Sequence, residues 1–181
     1  MYSYLVFILS ACGYRFSQKD LIGSYTSVCI PYVEGDNKGL LTNALIHAMT
    51  VSGALVYRAH GGDLLLKVVT ASPLDTNIGF AYAPSNKEDD KFSDFIVSDE
   101  ARLTMKATFS LIDHQTGDCI FGPYEAIASL TYDFDPDLTN INFHAFSLGQ
   151  LEMHNLALDA ATNRLYQILA QKIISIINHC W

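Results

Sequence analysis

Between Arg102 and Leu111 the chain alternates without a break: Leu103, Met105, Ala107, Phe109 and Leu111 on one side, Arg102, Thr104, Lys106, Thr108 and Ser110 on the other. Successive side chains of a strand point to opposite faces, so this segment is a strand with one dry face and one wet face. A sheet with one apolar face needs a second layer to cover it, and that requirement constrains everything else in the chain. The turn from Asp113 to Asp118 contains Thr116-Gly117, and the returning run, Cys119 to Phe121 with Tyr124 to Tyr132, pairs antiparallel as a meander hairpin.

Two helices are available as cover. Leu40, Leu41, Ala44, Leu45, Ala48 and Met49 recur at helical spacing and Gly53 follows as a stop, which predicts a helix of about 14 residues. Near the end of the chain, Ser147 and Gln150 form a capping box for a second helix. Its apolar stripe is Leu151, Leu158, Ala161, Leu165, Ile168, Leu169, Ile173 and Ile176. At 1.5 Å per residue, its roughly 30 residues reach about 45 Å.

Three further strands are expected at 24–33, 54–59 and 63–71. The first is rich in β-branched and aromatic residues and carries Pro31 near its end, where a terminal or edge position tolerates it. Strand, helix and strand in so short a stretch predict a right-handed crossover with parallel strands. The region 72–99, with Pro73, Pro84 and a charged run from Asn86 to Lys91, reads as irregular, with 77–82 as an extension of the preceding strand. Phe92, Phe95, Ile96 and Val97 are too apolar for solvent and either pack on the domain or meet a partner. The fold class is α/β: a two-layer sandwich with a mixed four- to five-stranded sheet and two helices on one face, in the order β-α-β-β-β-β-α.

The N-terminus sets the compartment. Leu9-Ser10-Ala11-Cys12 closes a short apolar run with small residues and a cysteine, the pattern of a bacterial lipoprotein signal. The apolar block is too short to span a bilayer. In the usual scheme for this pattern the chain is cut before Cys12, which becomes the lipid-attachment residue, and three acyl chains hold it to a membrane. The organisation is then signal peptide 1–11, lipidated tether 12–23 and a single α/β domain 24–181. The alternative is a buried N-terminal strand ending in a structural cysteine; residues 1–11 carry no Lys or Arg, unlike a usual signal. Gly13 in place of Asp after the cysteine points, by analogy with lipoprotein sorting, to the outer membrane, on its periplasmic side.

The net charge of −8 comes from 19 acids against 11 bases, with no basic cluster, so nucleic acid is not an expected partner. The same deficit argues against strong binding of phosphorylated glycolipid, unless the fold gathers Arg58, Lys67 and Lys106. Beyond Cys12, an oxidising compartment permits one disulfide among Cys29, Cys119 and Cys180, and their spacing specifies no pair; Cys29 and Cys119 read as small buried hydrophobes. There is no C-x-x-C or H-x-x-x-H for zinc, and no cofactor motif. Asp133, Asp135 and Asp137 are spaced like the opening of a calcium loop, but Leu138 and His144 stand where an EF-hand needs Gly and Glu. A lipid-anchored hydrolase would draw on the loop histidines His60, His114 and His144, yet no Gly-x-Ser-x-Gly is present. The aliphatic stripe at Leu165, Leu169, Ile173 and Ile177 reads as core, with binding of lipid or a partner helix as the alternative.

Taken in order, Cys12-Gly13-Tyr14-Arg15-Phe16, Val28-Cys29-Ile30-Pro31-Tyr32-Val33, Leu40-Leu41-Thr42-Asn43-Ala44-Leu45 and Asp63-Leu64-Leu65-Leu66 are similar to motifs of the LptE family of lipopolysaccharide-assembly lipoproteins. The hairpin and the helix after Tyr132-Asp133-Phe134-Asp135 agree, and the resemblance runs over nearly the whole chain. It implies a non-enzymatic role: a lipoprotein partner of an outer-membrane β-barrel of the LptD type, supporting its assembly, plugging it and helping lipopolysaccharide to the surface. Cys12 is the one site residue carried over; direct lipopolysaccharide contacts stay unassigned. The competing reading is an outer-membrane lipoprotein adaptor for a periplasmic partner such as a peptidoglycan synthase or secretion component.

Overall fold

The structure, a computed structural model, describes residues 24–82, 96–133 and 148–179. Its elements are β1 (Ser27–Cys29), α1 (Leu40–Ser52), β2 (Val56–Tyr57), β3 (Leu64–Thr70), β4 (Leu74–Tyr82), β5 (Ile96–Asp113), β6 (Cys119–Asp133) and α2 (Leu148–His179). The two-layer α/β class stands, with a mixed sheet of six strands among the described residues, one more than the upper expectation. β1 pairs parallel with both β2 and β3, while β5 pairs antiparallel with β3, β4 and β6.

The alternating segment anchors this sheet. Ala101, Leu103, Met105, Ala107, Phe109 and Leu111 are buried, and they join Leu41, Leu45 and Met49 of α1 and Leu165, Leu169 and Ile173 of α2 in one core. β5 is longer than the alternation alone predicts, 18 residues, because it is paired on both sides. β6 covers one edge along most of its length; β3 and β4 lie end to end along the other. From Thr70 to Leu74 is four positions, against three from Ala107 to Thr104, so one extra residue separates the two strands beside Pro73.

The expected strand extension at 77–82 is present as the larger part of β4, and the departure lies on either side of it, where 74–76 and the segment from Ile96 onward are strand rather than irregular chain. Asp75, Asn77 and Gly79 have poor strand propensity, and the pairing with β5 overrides it. Residues 83–95, with Pro84, the charged run, Phe92 and Phe95, lie outside the described residues. Conversely β1 and β2 are shorter than expected, at three and two residues. Pro31 lacks the amide a longer ladder would use, and the chain rejoins the sheet at Glu34, whose amide donates to the Val68 carbonyl at 3.1 Å and whose carbonyl accepts from Thr70 at 2.8 Å. Gly35 makes this approach possible: at φ +92°, a Cβ there would sit 2.0 Å from the Thr70 carbonyl oxygen.

α1 spans 13 residues and ends at Gly53 in the left-handed conformation, as the sequence predicts. Its N-terminus is held by Asp36, 1% exposed, whose carboxylate accepts from the Leu40 amide at 3.1 Å, the Thr42 amide at 2.8 Å and the Thr42 hydroxyl at 2.9 Å. α2 has 32 residues, about 48 Å at the usual rise; Ser147 of its expected capping box lies outside the described residues. None of the described helices is long and apolar enough to cross a membrane.

Candidate partner-binding face and its anchored end

Among the described residues nothing covers the second face of the sheet, which is built by the residues that alternate with the core. Directly opposed residues of an antiparallel pair share a face, which places Lys67 beside Ser110, Val69 beside Thr108 and Glu125, Lys106 beside Ile127, Leu74 and Ser129 beside Thr104, and Thr76 and Thr131 beside Arg102. Hydroxyls dominate this surface. Exposed aliphatic groups at Val69, Leu74 and Ile127 are set among them. Such a face is wet enough to be solvated and apolar enough to be covered.

Its lysines are matched with acids rather than pooled, and Arg102 stands apart from them. Lys67 lies 3.4 Å from Glu34 and Lys106 lies 3.8 Å from Glu125, while Arg58 stands beyond β2 at the far edge of the sheet. The scattered bases are thus not gathered into a phosphate-binding patch among the described residues. Two further cations serve the helices: Lys38 pairs with Asp159 at 3.5 Å, and Lys172 Nζ donates to the Ile127 carbonyl at 2.8 Å, tying α2 to the edge of β6.

One end of the sheet is fixed by carboxylates where the domain begins. Asp63 Oδ2 accepts from the Thr26 amide at 2.9 Å, the Thr26 hydroxyl at 3.0 Å, the Ser27 amide at 3.0 Å and the Ser27 hydroxyl at 2.9 Å. The Thr26 amide, followed by the two hydroxyls, holds this carboxyl down to about 2. Beside it the Tyr25 hydroxyl donates to Asp113 Oδ2 at 2.7 Å, which lowers the Asp113 pKa and raises that of Tyr25. Sequence reasoning missed both clamps, because Asp63 and Asp113 read there as strand and turn punctuation. The pairing of β1 with β3 and the position of the β5–β6 turn make them neighbours.

Toward the opposite end, where β6 finishes and β4 begins beside β5, Tyr132 donates to Asp75 Oδ2 at 3.0 Å and its ring lies 6.3 Å from that of His154 of α2. Burial, with Asp75 adding to it, pushes the Tyr132 hydroxyl up to about 12.

The residues weighed for chemistry are placed as follows. His60 and His114 come to the clamped end, with the His114 amide donating to the Asp63 carbonyl at 3.0 Å, and both side chains are exposed. His144 lies outside the described residues, as do Asp135, Asp137 and Leu138; Asp133 ends β6 and is exposed. Among the described residues no group of three His, Cys, Asp or Glu side chains is placed to hold a metal ion. Ser175 Oγ lies 3.3 Å from His179 Nδ1, but this is an i,i+4 pair on an exposed helix surface, and the same nitrogen sits 2.6 Å from the Ser175 carbonyl oxygen.

The register also limits the cysteines. Cys29 is opposite Leu65, Leu65 opposite Ile112, and Ile112 opposite Cys119, so the two thiols are three strand spacings apart, about 14 Å. A disulfide needs Cα atoms within about 7 Å, so Cys29 and Cys119 cannot pair. Both are free thiols, Cys29 half-buried and Cys119 exposed, which corrects the expectation that Cys119 is a buried hydrophobe. Cys180 and Cys12 lie outside the described residues.

This two-layer sandwich with one bare sheet face is a fold found in solved bacterial lipoproteins. A rare lipoprotein B from Shewanella oneidensis is 11% identical, with 86% of this chain and 96% of that chain covered at a TM-score of 0.51. A minor lipoprotein from Acinetobacter baumannii is 15% identical, with 85% and 93% covered at a TM-score of 0.50. No curated protein sequence matches the chain. The family model described as LptE, lipopolysaccharide-assembly, matches residues 25–177, and the chain belongs to that family.

Proposed function

We propose that the protein is a non-enzymatic, lipid-anchored lipoprotein of the outer membrane, on its periplasmic side, that supports assembly of a β-barrel translocon of the LptD type and plugs it during lipopolysaccharide transport. The family match over residues 25–177 carries this reading. The bare sheet face supports it, because a barrel interior is polar and the hydroxyl-rich surface around Thr104, Thr108 and Ser129, with Lys67 and Lys106 each beside a glutamate, suits a wet contact of low net charge.

The anchor is proposed at Cys12, with residues 13–23 as tether. That segment spans at most about 40 Å when extended. It enters the domain at Tyr25, Thr26 and Ser27, the residues held by Asp63 and Asp113. A pull on the tether therefore reaches the middle of the sheet through carboxylate hydrogen bonds rather than through a loose end. On the described face Lys67 and Lys106 each lie beside a glutamate, so no lysine cluster is offered to lipopolysaccharide phosphates.

In-cell photocrosslinking from Thr104, Thr108 and Ser129, followed by detergent extraction of the outer membrane, tests this reading. Adducts to a large β-barrel are expected. Adducts confined to soluble or inner-membrane proteins would overturn it in favour of a tethered adaptor.

A further inference from the structure

Asn178, on the last turn of α2, carries a buried side-chain oxygen, Oδ1, that accepts no hydrogen bond among the described residues. A buried amide oxygen without a donor is costly, and such atoms are few in folded proteins, so this one marks a place where a donor belongs. Its helix neighbour does not supply it. His179 is engaged with its own turn, with Nδ1 2.6 Å from the Ser175 carbonyl oxygen.

The surroundings of that oxygen follow from how the helices lie. α1 and α2 run side by side in the same direction, since Lys38 pairs with Asp159 just before α1 begins, and Leu40, Ala44 and Ala48 share a groove with Asn163, Gln167 and Gln171. α1 stops at Ser52, where Gly53 is left-handed, whereas α2 runs on to His179. Continuing both helices at the same rise brings Val51 level with Ile174 and leaves the Asn178 turn past the end of α1. Ile174, four residues before Asn178 on the same face, is 3% exposed, so this face is turned inward. Val51 belongs to the stripe of Leu40, Ala44 and Ala48, yet it is 73% exposed. An apolar side chain left open and an acceptor left unpaired thus stand together where the shorter helix ends.

One side chain of this protein fits both. Indole is flat and apolar, and its Nε1–H donates without needing to accept. The only tryptophan of the sequence is Trp181, two residues beyond the end of α2. Two residues reach at most about 7 Å, so the indole stays near the last turn. Its spacing is also right: Ile174, Asn178 and Trp181 are separated by four and three residues, the intervals that place side chains on one helix face. A bilayer is the competing occupant, because tryptophan is favoured at membrane interfaces. α2 runs from His154 beside Tyr132 to Lys172 beside Ile127, toward the end of the sheet where the chain enters at Tyr25. A bilayer, however, would leave the Asn178 oxygen without its donor.

We propose that the Trp181 indole lies over Val51 at the end of α1 and donates its Nε1–H to Asn178 Oδ1, covering the turn of α2 that α1 leaves bare. The long helix is thereby joined to the short one at the end of the domain where the tether enters.

The test reads the intrinsic fluorescence of the full chain carrying Cys12→Ser, which is not lipidated and needs no detergent. Emission should lie to the blue of N-acetyltryptophanamide, and acrylamide quenching should be several-fold weaker. Val51→Asp should return both to the values of the free compound, while Leu156→Asp, at an exposed position of α2, should not. In proton–nitrogen NMR spectra the single indole N–H should exchange with water about tenfold more slowly than in the free compound, as one modest hydrogen bond predicts. Asn178→Ala should remove that protection, and circular dichroism checks that each variant is folded. Vesicles of phosphatidylethanolamine and phosphatidylglycerol should leave the emission unchanged. Emission and quenching equal to those of the free compound, a blue shift that survives Val51→Asp, indole protection that survives Asn178→Ala, or a blue shift that needs vesicles would overturn the proposal.

Discussion

Asp63 and Ser27 hold each other by three hydrogen bonds: the Ser27 amide and hydroxyl donate to the Asp63 carboxylate at 3.0 and 2.9 Å, and the Asp63 amide donates back to the Ser27 hydroxyl at 3.1 Å. The reciprocity joins the start of β1 to the chain entering β3. It also makes the ionised carboxylate the acceptor that the native state requires, so the folded pKa falls from the usual 3.8 to about 2. A group whose folded pKa is lowered contributes stability that is present above its unfolded value and lost as pH falls through the folded one. Urea midpoints measured from pH 5 down to pH 2 should therefore drop most steeply below pH 4. Asp63→Asn should be less stable at pH 7 and show a shallower drop; an unchanged slope would mean that the clamp is not formed in solution.

Gly35 gives a sharper steric test. A methyl group there would meet the Thr70 carbonyl oxygen at 2.0 Å and impose φ +92° on an L-residue. Gly35→Ala should cost about 2–4 kcal/mol in chemical denaturation, because the Glu34 bridge to β3 must open. Gly53→Ala, at φ +66° with open space around the added carbon, should cost about 1 kcal/mol.

The core makes the third prediction. Leu169 is fully buried between α2 and the sheet, and Leu169→Ala should lose about 3 kcal/mol of stability. Leu156, on the same helix but 63% exposed, should lose less than about 0.5 kcal/mol on the same change. A large effect at Leu156 would mean that a partner or an undescribed segment covers that turn.

These positions show which parts of the fold were legible in the sequence. The alternation from Leu103 to Leu111 and the stripes through Leu41, Leu45 and Met49 and through Leu165, Leu169 and Ile173 point to the buried faces of β5, α1 and α2, because each pattern is set by local periodicity. β4 was half hidden: 77–82 reads as an extension of the preceding strand, but Pro73 and Asp75 argue locally for irregular chain, and the strand is completed because β5 offers it an edge. Asp63 and Asp36 were hidden for a related reason, since their partners are defined by the return of the chain rather than by spacing. Of the proposed functional features, Cys12 was legible as a motif and the wet face of β5 as an alternation, whereas the residues that extend that face, such as Leu74 and Ile127, are fixed only by the register of β4 and β6.

The cysteine register supplies the last test. Cys29 and Cys119 stand on the same face of the sheet at opposite ends of one cross-strand row, with Leu65 and Ile112 between them. Oxidation of the purified protein should yield no Cys29–Cys119 disulfide by peptide mass mapping, since about 14 Å of hydrogen-bonded sheet separates the two sites. A flexible bis-maleimide of about that length should instead bridge them. Cys119, being exposed, should alkylate first, and the half-buried Cys29, whose thiol faces the Ala59 carbonyl at 3.4 Å, should follow more slowly. A direct disulfide between them would require β1 or β6 to leave the sheet, and would contradict the order β1, β3, β5, β6 on which the bare face depends.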